Sequence, residues 1–64
     1  MDNYKAALVE LRLKLNVSQE ELAKLLGVSF SSVNRWENGR HEPTKIAKAK
    51  LKKLFKENEI ELED

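Results

Sequence analysis

The side chains able to act as nucleophiles, metal ligands or proton carriers are few in this chain. It has no cysteine and a single histidine, His41, so disulfide staples, thiolate metal sites and a His-rich centre are excluded. Its two glycines are too few and too far apart for a glycine-rich phosphate loop, and its carboxylates are spread along helical patterns rather than paired. No catalytic residue, no metal, no cofactor and no small-molecule ligand is expected. What remains are hydrogen-bonding and charged side chains, and their arrangement carries most information in residues 18–40, SQEELAKLLGVSFSSVNRWENGR.

The elements that must position this stretch are helices. Tyr4, Leu8, Leu11 and Leu15 recur at four, three and four residues, one face of a helix, with Asp2 or Asn3 available as its cap and Asn16 as its stop. Ser18 and Glu21 have the spacing of a capping box, and Leu22, Leu25 and Leu26 are the apolar face expected behind it. Gly27 ends this second helix where a left-handed backbone is cheap. Only Val28 intervenes before Ser29, the next N-cap. Val33 and Trp36 then fall on one face, and Asn38 with Gly39 closes the third helix. Thr44 caps a fourth, whose Ala47, Leu51, Leu54 and Phe55 form an apolar stripe among lysines and whose end lies near Asn58. No segment has the alternating period of a strand, so the fold class is all-α, a bundle of four or five helices. Two short helices joined across one glycine turn make a helix-turn-helix arrangement, with Ala23 small where they approach and Val33 filling the angle between them.

Sixty-four residues make one small domain, 1–64, with a motif core at 18–40. Without staples it must be held by helix packing. The longest apolar runs, such as Ala6, Ala7, Leu8 and Val9, are far too short to span a membrane, and an intracellular protein is expected. The formal charge of +1 conceals an asymmetry. Residues 1–34 balance, residues 35–56 carry eight basic and two acidic side chains, and residues 57–64 carry five acids and no base. A basic block therefore starts inside the third helix and is followed by an acidic tail that can repel an anionic partner or neutralise the lysines before it. Within that tail, residues 59–64, Ile60 and Leu62 can either pack or fray.

The run of Ser18, Gln19, Glu20, Glu21, Leu22 and Ala23, the Leu-Leu-Gly-Val-Ser of residues 25–29, and the Trp-Glu-Asn-Gly-Arg of residues 36–40 followed by Pro43 together resemble the Cro and lambda-type phage repressors, the XRE-like helix-turn-helix family of DNA-binding domains. The resemblance covers roughly residues 8–54 and weakens after Pro43, where family members commonly break the last helix with glycine and this chain does not. It implies a lambda repressor-like fold and binding to double-stranded DNA in transcriptional regulation, with the helix of residues 29–38 in the major groove. Implied base contacts are Ser29, Phe30, Ser31, Asn34 and Arg35. Arg35 suits guanine, Asn34 suits adenine, and Phe30 suits a thymine methyl or a sugar edge. Implied phosphate contacts are Gln19, at the N-terminus of the second helix, with Ser32, Asn38, Gly39, Arg40 and Lys45. A homodimer on a palindromic or repeated site, and a cytoplasmic, nucleoid-associated location in a prokaryotic or phage setting, go with this reading. Arg12 and Glu37 stand where the resemblance implies an ion pair between the first and third helices.

Each of these residues also has a plainer role. Trp36 suits core packing better than base stacking, His41 suits a solvated loop, and the lysines from 45 to 56 suit the wet face of an amphipathic helix as well as a flank of DNA. An alternative function keeps the fold and makes the chain a DNA-targeting or protein-docking module of a larger protein, or an antitoxin-like partner.

Overall fold

In the computed structural model, which describes residues 4–62, four α-helices follow one another with no strand among the described residues: α1 Tyr4–Leu15, α2 Gln19–Leu26, α3 Phe30–Glu37 and α4 Lys45–Glu57. The helices start where side-chain oxygens can take up orphan amides. The Ser18 hydroxyl accepts from the Glu21 N–H at 3.0 Å while the Ser18 N–H donates to the Glu21 carboxylate at 2.9 Å, a reciprocal capping box. Ser29 caps α3 through the Ser32 N–H at 3.1 Å, and Thr44 caps α4 through the Ala47 N–H at 3.3 Å. The expected α1 caps, Asp2 and Asn3, lie outside the described residues.

All four helices stop in the same way. A residue with positive φ, namely Asn16, Gly27, Gly39 or Glu59, turns the chain. The residue after it then donates its N–H back to the fifth residue before it: Val17 to Arg12, Val28 to Ala23, Arg40 to Arg35 and Ile60 to Phe55. This is the Schellman turn, and it folds an apolar residue back onto the helix it terminates. Val17, Val28 and Ile60 all pack on the core. At Gly27, with φ of +71°, a Cβ would meet only the Lys50 ammonium at 3.5 Å, so the obstacle to a side chain there is the backbone alone. Gly27→Ala is expected to lower stability by about 1–2 kcal/mol in a urea melt; an unchanged midpoint would remove the left-handed turn from the account.

The core combines Tyr4, Ala7, Leu8 and Leu11 of α1 with Leu22, Ala23 and Leu26 of α2, Val33 and Trp36 of α3, and Ala47, Leu51 and Phe55 of α4. The α2–α3 contact is the most extensive, followed by α1 against α3, so the helix-turn-helix rests on α1 and α4 as a platform. One expectation needs correction. Leu25 is 60% exposed, and Ala23 takes its place in the apolar face of α2, because an eight-residue helix wedged between neighbours buries the 22–23–26 strip and turns position 25 outward. Of the two fates left open for Ile60 and Leu62, both pack: Ile60 is 6% exposed and Leu62 lies against the same core. α4 is one unbroken helix, as its lack of glycine implies. No described helix is long and apolar enough to cross a membrane.

Candidate nucleic-acid interface

Packing divides α3 into two faces. Val33, Trp36 and Glu37 are buried against the other helices, whereas Phe30, Ser31 and Arg35 are exposed on the outside. The Trp36 indole is therefore part of the core and no stacking platform. Phe30 is 50% exposed, an aromatic ring left half in water at the first turn of α3. Neither the Arg35 guanidinium nor the Ser31 hydroxyl has a hydrogen-bond partner among the described residues. Ser29 and Ser32 are engaged locally: the Ser29 hydroxyl caps the helix and lies 3.0 Å from the Ser32 hydroxyl.

The buried side of α3 is tied to α1 by a charge pair. Arg12 Nε donates to Glu37 Oε2 at 2.6 Å and Nη2 donates to Oε1 at 2.9 Å, a bidentate geometry in which the Glu37 side chain is 6% exposed and that of Arg12 23%. Arg12 Nη1 adds a longer bond of 3.4 Å to the Val17 carbonyl, which anchors the α1–α2 turn. The Arg12 guanidinium is held above its ordinary pKa, first by the hydrogen bond to Glu37; partial burial works the other way, and the charge of Glu37 adds to the rise. A raised pKa supports folding fully below the unfolded value and ceases to do so as pH rises through the folded one. Arg12 therefore contributes no pH dependence below about pH 12.

From that carboxylate a line of amides runs outward. Gln19 Nε2 donates to Glu37 Oε1 at 3.0 Å, Asn34 Nδ2 donates to Gln19 Oε1 at 3.1 Å, and Asn38 Nδ2 donates to Asn34 Oδ1 at 3.0 Å. Gln19 and Asn34 are half-buried and Asn38 is exposed. Three of the expected contact residues, from two helices, are thus bonded into one ridge. Gly39 and Arg40 follow directly in the α3 turn, exposed, and with His41 they line a cleft beside Trp36 of α3 and Tyr4 and Lys5 at the start of α1. Lys45 is exposed at the first turn of α4, with no bond joining it to the ridge.

The basic run of α4 is divided by use. Lys48 pairs with Glu42 at 2.7 Å and sits 5.3 Å from the centre of the Tyr4 ring, and Lys50 donates to the Leu26 carbonyl at the end of α2 at 3.0 Å. Lys14 likewise donates to the Asn58 carbonyl at 2.8 Å. Lys45, Lys52, Lys53 and Lys56 remain exposed to water. No buried side-chain nitrogen or oxygen lacks a partner among the described residues, and no group of three metal-ligating side chains occurs among them.

The amide ridge was missed by sequence reasoning. The spacing of Asn34 and Asn38, four apart on one helix, is a signal for their pairing, but the link to Gln19 exists only because α2 crosses α3. Compared with known proteins, residues 8–62 match the family model described as helix-turn-helix. No curated protein and no solved structure matches the chain.

Proposed function

Because the chain belongs to the Cro/C1-type, XRE-like helix-turn-helix family of DNA-binding domains, we propose that it reads duplex DNA in a sequence-specific way, with α3 in the major groove, and regulates transcription. The observation that carries this reading is the outer face of α3, where Phe30, Ser31 and Arg35 stand exposed over a rigid, fully packed inner face. Arg35 is assigned to guanine O6 and N7 as a bidentate donor, Phe30 to a pyrimidine methyl or sugar edge, and Ser31 to a further base edge. Ser29 and Asn34 border the same face, with hydroxyl and amide already partly engaged. Gln19, Ser32, Asn38, Gly39, Arg40 and Lys45 are assigned to phosphates, Gln19 adding the orphan backbone amides of the α2 N-terminus. A single α3 spans only a few base pairs, so two copies on half-sites about 34 Å apart complete the operator.

Selection from randomised duplexes with the purified chain is the test. Arg35→Ala should cost about 1–3 kcal/mol and relax preference at one base position, whereas Gln19→Ala should weaken all duplexes alike. The two cations assigned to phosphates, Arg40 and Lys45, set an expected slope of log K against log salt of about −1.8 per copy. Binding that is undetectable, or indifferent to salt, would sink the proposal. A second reading, a docking module or antitoxin-like partner on the same fold, is supported by the largely exposed Leu13, Leu25 and Ile46. It is favoured if the chain sediments as a monomer at micromolar concentration and binds DNA only weakly.

A further inference from the structure

We infer that Asn34 is a positioning residue for the phosphate contacts, not a reader of adenine, and that the Glu37 carboxylate sets the direction of the whole amide ridge. This rests on the DNA-binding reading above and refines its site. An ionised carboxylate has only acceptors to offer. With Arg12 already donating to both oxygens of Glu37, Gln19 reaches that carboxylate only by presenting its NH2 group, at 3.0 Å. Its Oε1 is thereby turned away and accepts from Asn34, whose Oδ1 in turn accepts from Asn38. Each amide direction follows from the one before it, and the first is dictated by a buried charge.

The consequence lies in what is left over. Every side-chain amide has two N–H groups and each spends one within the ridge, so Gln19, Asn34 and Asn38 each keep one donor. A row of N–H groups beside the N-terminus of α2 matches phosphate oxygens, which only accept. Adenine requires one amide to donate to N7 and accept from N6 in a single plane. Asn34 already has its nitrogen bonded to Gln19 and its oxygen to Asn38, so turning to a base would break the ridge that holds Gln19. The positions along α3 then divide cleanly: Phe30, Ser31 and Arg35 meet bases, while Asn34 and Asn38 brace the backbone clamp.

The test uses the full chain with two probes: a duplex it selects from a randomised pool, and an unrelated duplex of equal length. Asn34→Ala is expected to weaken both by a similar factor, about five- to tenfold, the loss of roughly one hydrogen bond. The selected motif should not change, and the salt slope should hold because neutral amides release no counterions. Gln19→Ala combined with Asn34→Ala should lose less than the product of the single effects, a non-additivity in DNA affinity that a general loss of stability does not create when all variants are measured well below their melting temperatures. Asn38→Ala, at the exposed outer end, should show the same pattern more weakly without disturbing the fold. Loss of preference at one base pair by Asn34→Ala, with the unrelated duplex unaffected, would overturn the inference and restore base reading. Strict additivity with Gln19→Ala would also overturn it. Failure of the unaltered chain to select any duplex would instead strike the DNA-binding reading itself.

Discussion

Arg12→Met is expected to leave the domain mostly unfolded at room temperature. The reason is the asymmetry of the pair. The Glu37 side chain is 6% exposed and that of Arg12 23%, so deleting the arginine strands a carboxylate in the interior with Gln19 as its one remaining side-chain donor among the described residues. Breaking a buried pair in this direction costs about 3–5 kcal/mol. A staple-free domain of this size rarely has more than about 3–5 kcal/mol in total, so the loss consumes most of the margin. Glu37→Leu is the milder change at about 1–3 kcal/mol, because Arg12 can turn towards water and keep its bond to Val17. The double variant Arg12→Met with Glu37→Leu should regain most of the stability, since well-packed apolar replacements of a buried pair are often neutral. That rescue also isolates the amide ridge: the folded double variant lacks the carboxylate that directs Gln19 and should bind all DNA more weakly. Circular dichroism melts in urea decide the first step. An Arg12→Met curve within about 0.5 kcal/mol of the unaltered chain would class the bridge with ordinary surface pairs.

What could be foreseen from the residues is what the chain settles locally. Ser18, Ser29 and Thr44 cap because a hydroxyl reaches an amide three residues on, and Gly27 turns because it lacks a Cβ; neither event needs a distant partner. The stripes of α1 and α4 were legible because each is long enough to show its period. Leu25 was misjudged because eight residues span little more than two turns, so burial in α2 follows its neighbours more than its own pattern. The end of α4 falls at Asn58, where it was expected, but what turns the chain there was not legible. The residue that enters the left-handed turn is Glu59, with φ of +57°, and a glutamate there is no signal of a stop. At the candidate site the outer residues of α3 follow once Val33 and Trp36 are assigned inward, and Phe30, Ser31 and Arg35 do lie outside. The bonds from Gln19 to Asn34, fifteen positions apart, and from Arg12 to Glu37, twenty-five apart, are made by the crossings of helices. Composition and period do not encode them, and the second was anticipated only through the family resemblance. The scaffold roles of Lys14 and Lys50, which donate to carbonyls, and of Lys48, which pairs with Glu42, were hidden likewise, since a bonded lysine looks the same in sequence as one facing water.

The acidic tail gives the second large effect, and its meaning changes once Ile60 is placed. Charge alone suggests that removing residues 59–64 strengthens binding to an anion, because the tail places acids after a strongly basic block. Yet Ile60 is 6% exposed, Leu62 packs beside it, and the Ile60 N–H closes α4 by donating to the Phe55 carbonyl at 2.8 Å. Deleting the tail therefore uncovers the Phe55 end of the core and is expected to lower stability by about 2–4 kcal/mol, the range for losing a buried isoleucine with partial relaxation. At that cost much of the truncated chain would be unfolded and its apparent DNA affinity would fall, even where the acids repel DNA. The two effects separate when the charges are removed and the apolar side chains kept. Glu57→Gln, Glu59→Gln and Glu61→Gln together alter exposed side chains only, so the melt should change by less than about 1 kcal/mol. If the tail opposes DNA, the triple variant should bind any duplex several-fold more tightly at low salt, with the gain fading as ionic strength shortens the screening length to about 8–10 Å. An equal affinity at every salt concentration would make the tail a packing element alone, and a truncation that melts like the unaltered chain would remove Ile60 from the core it is placed in.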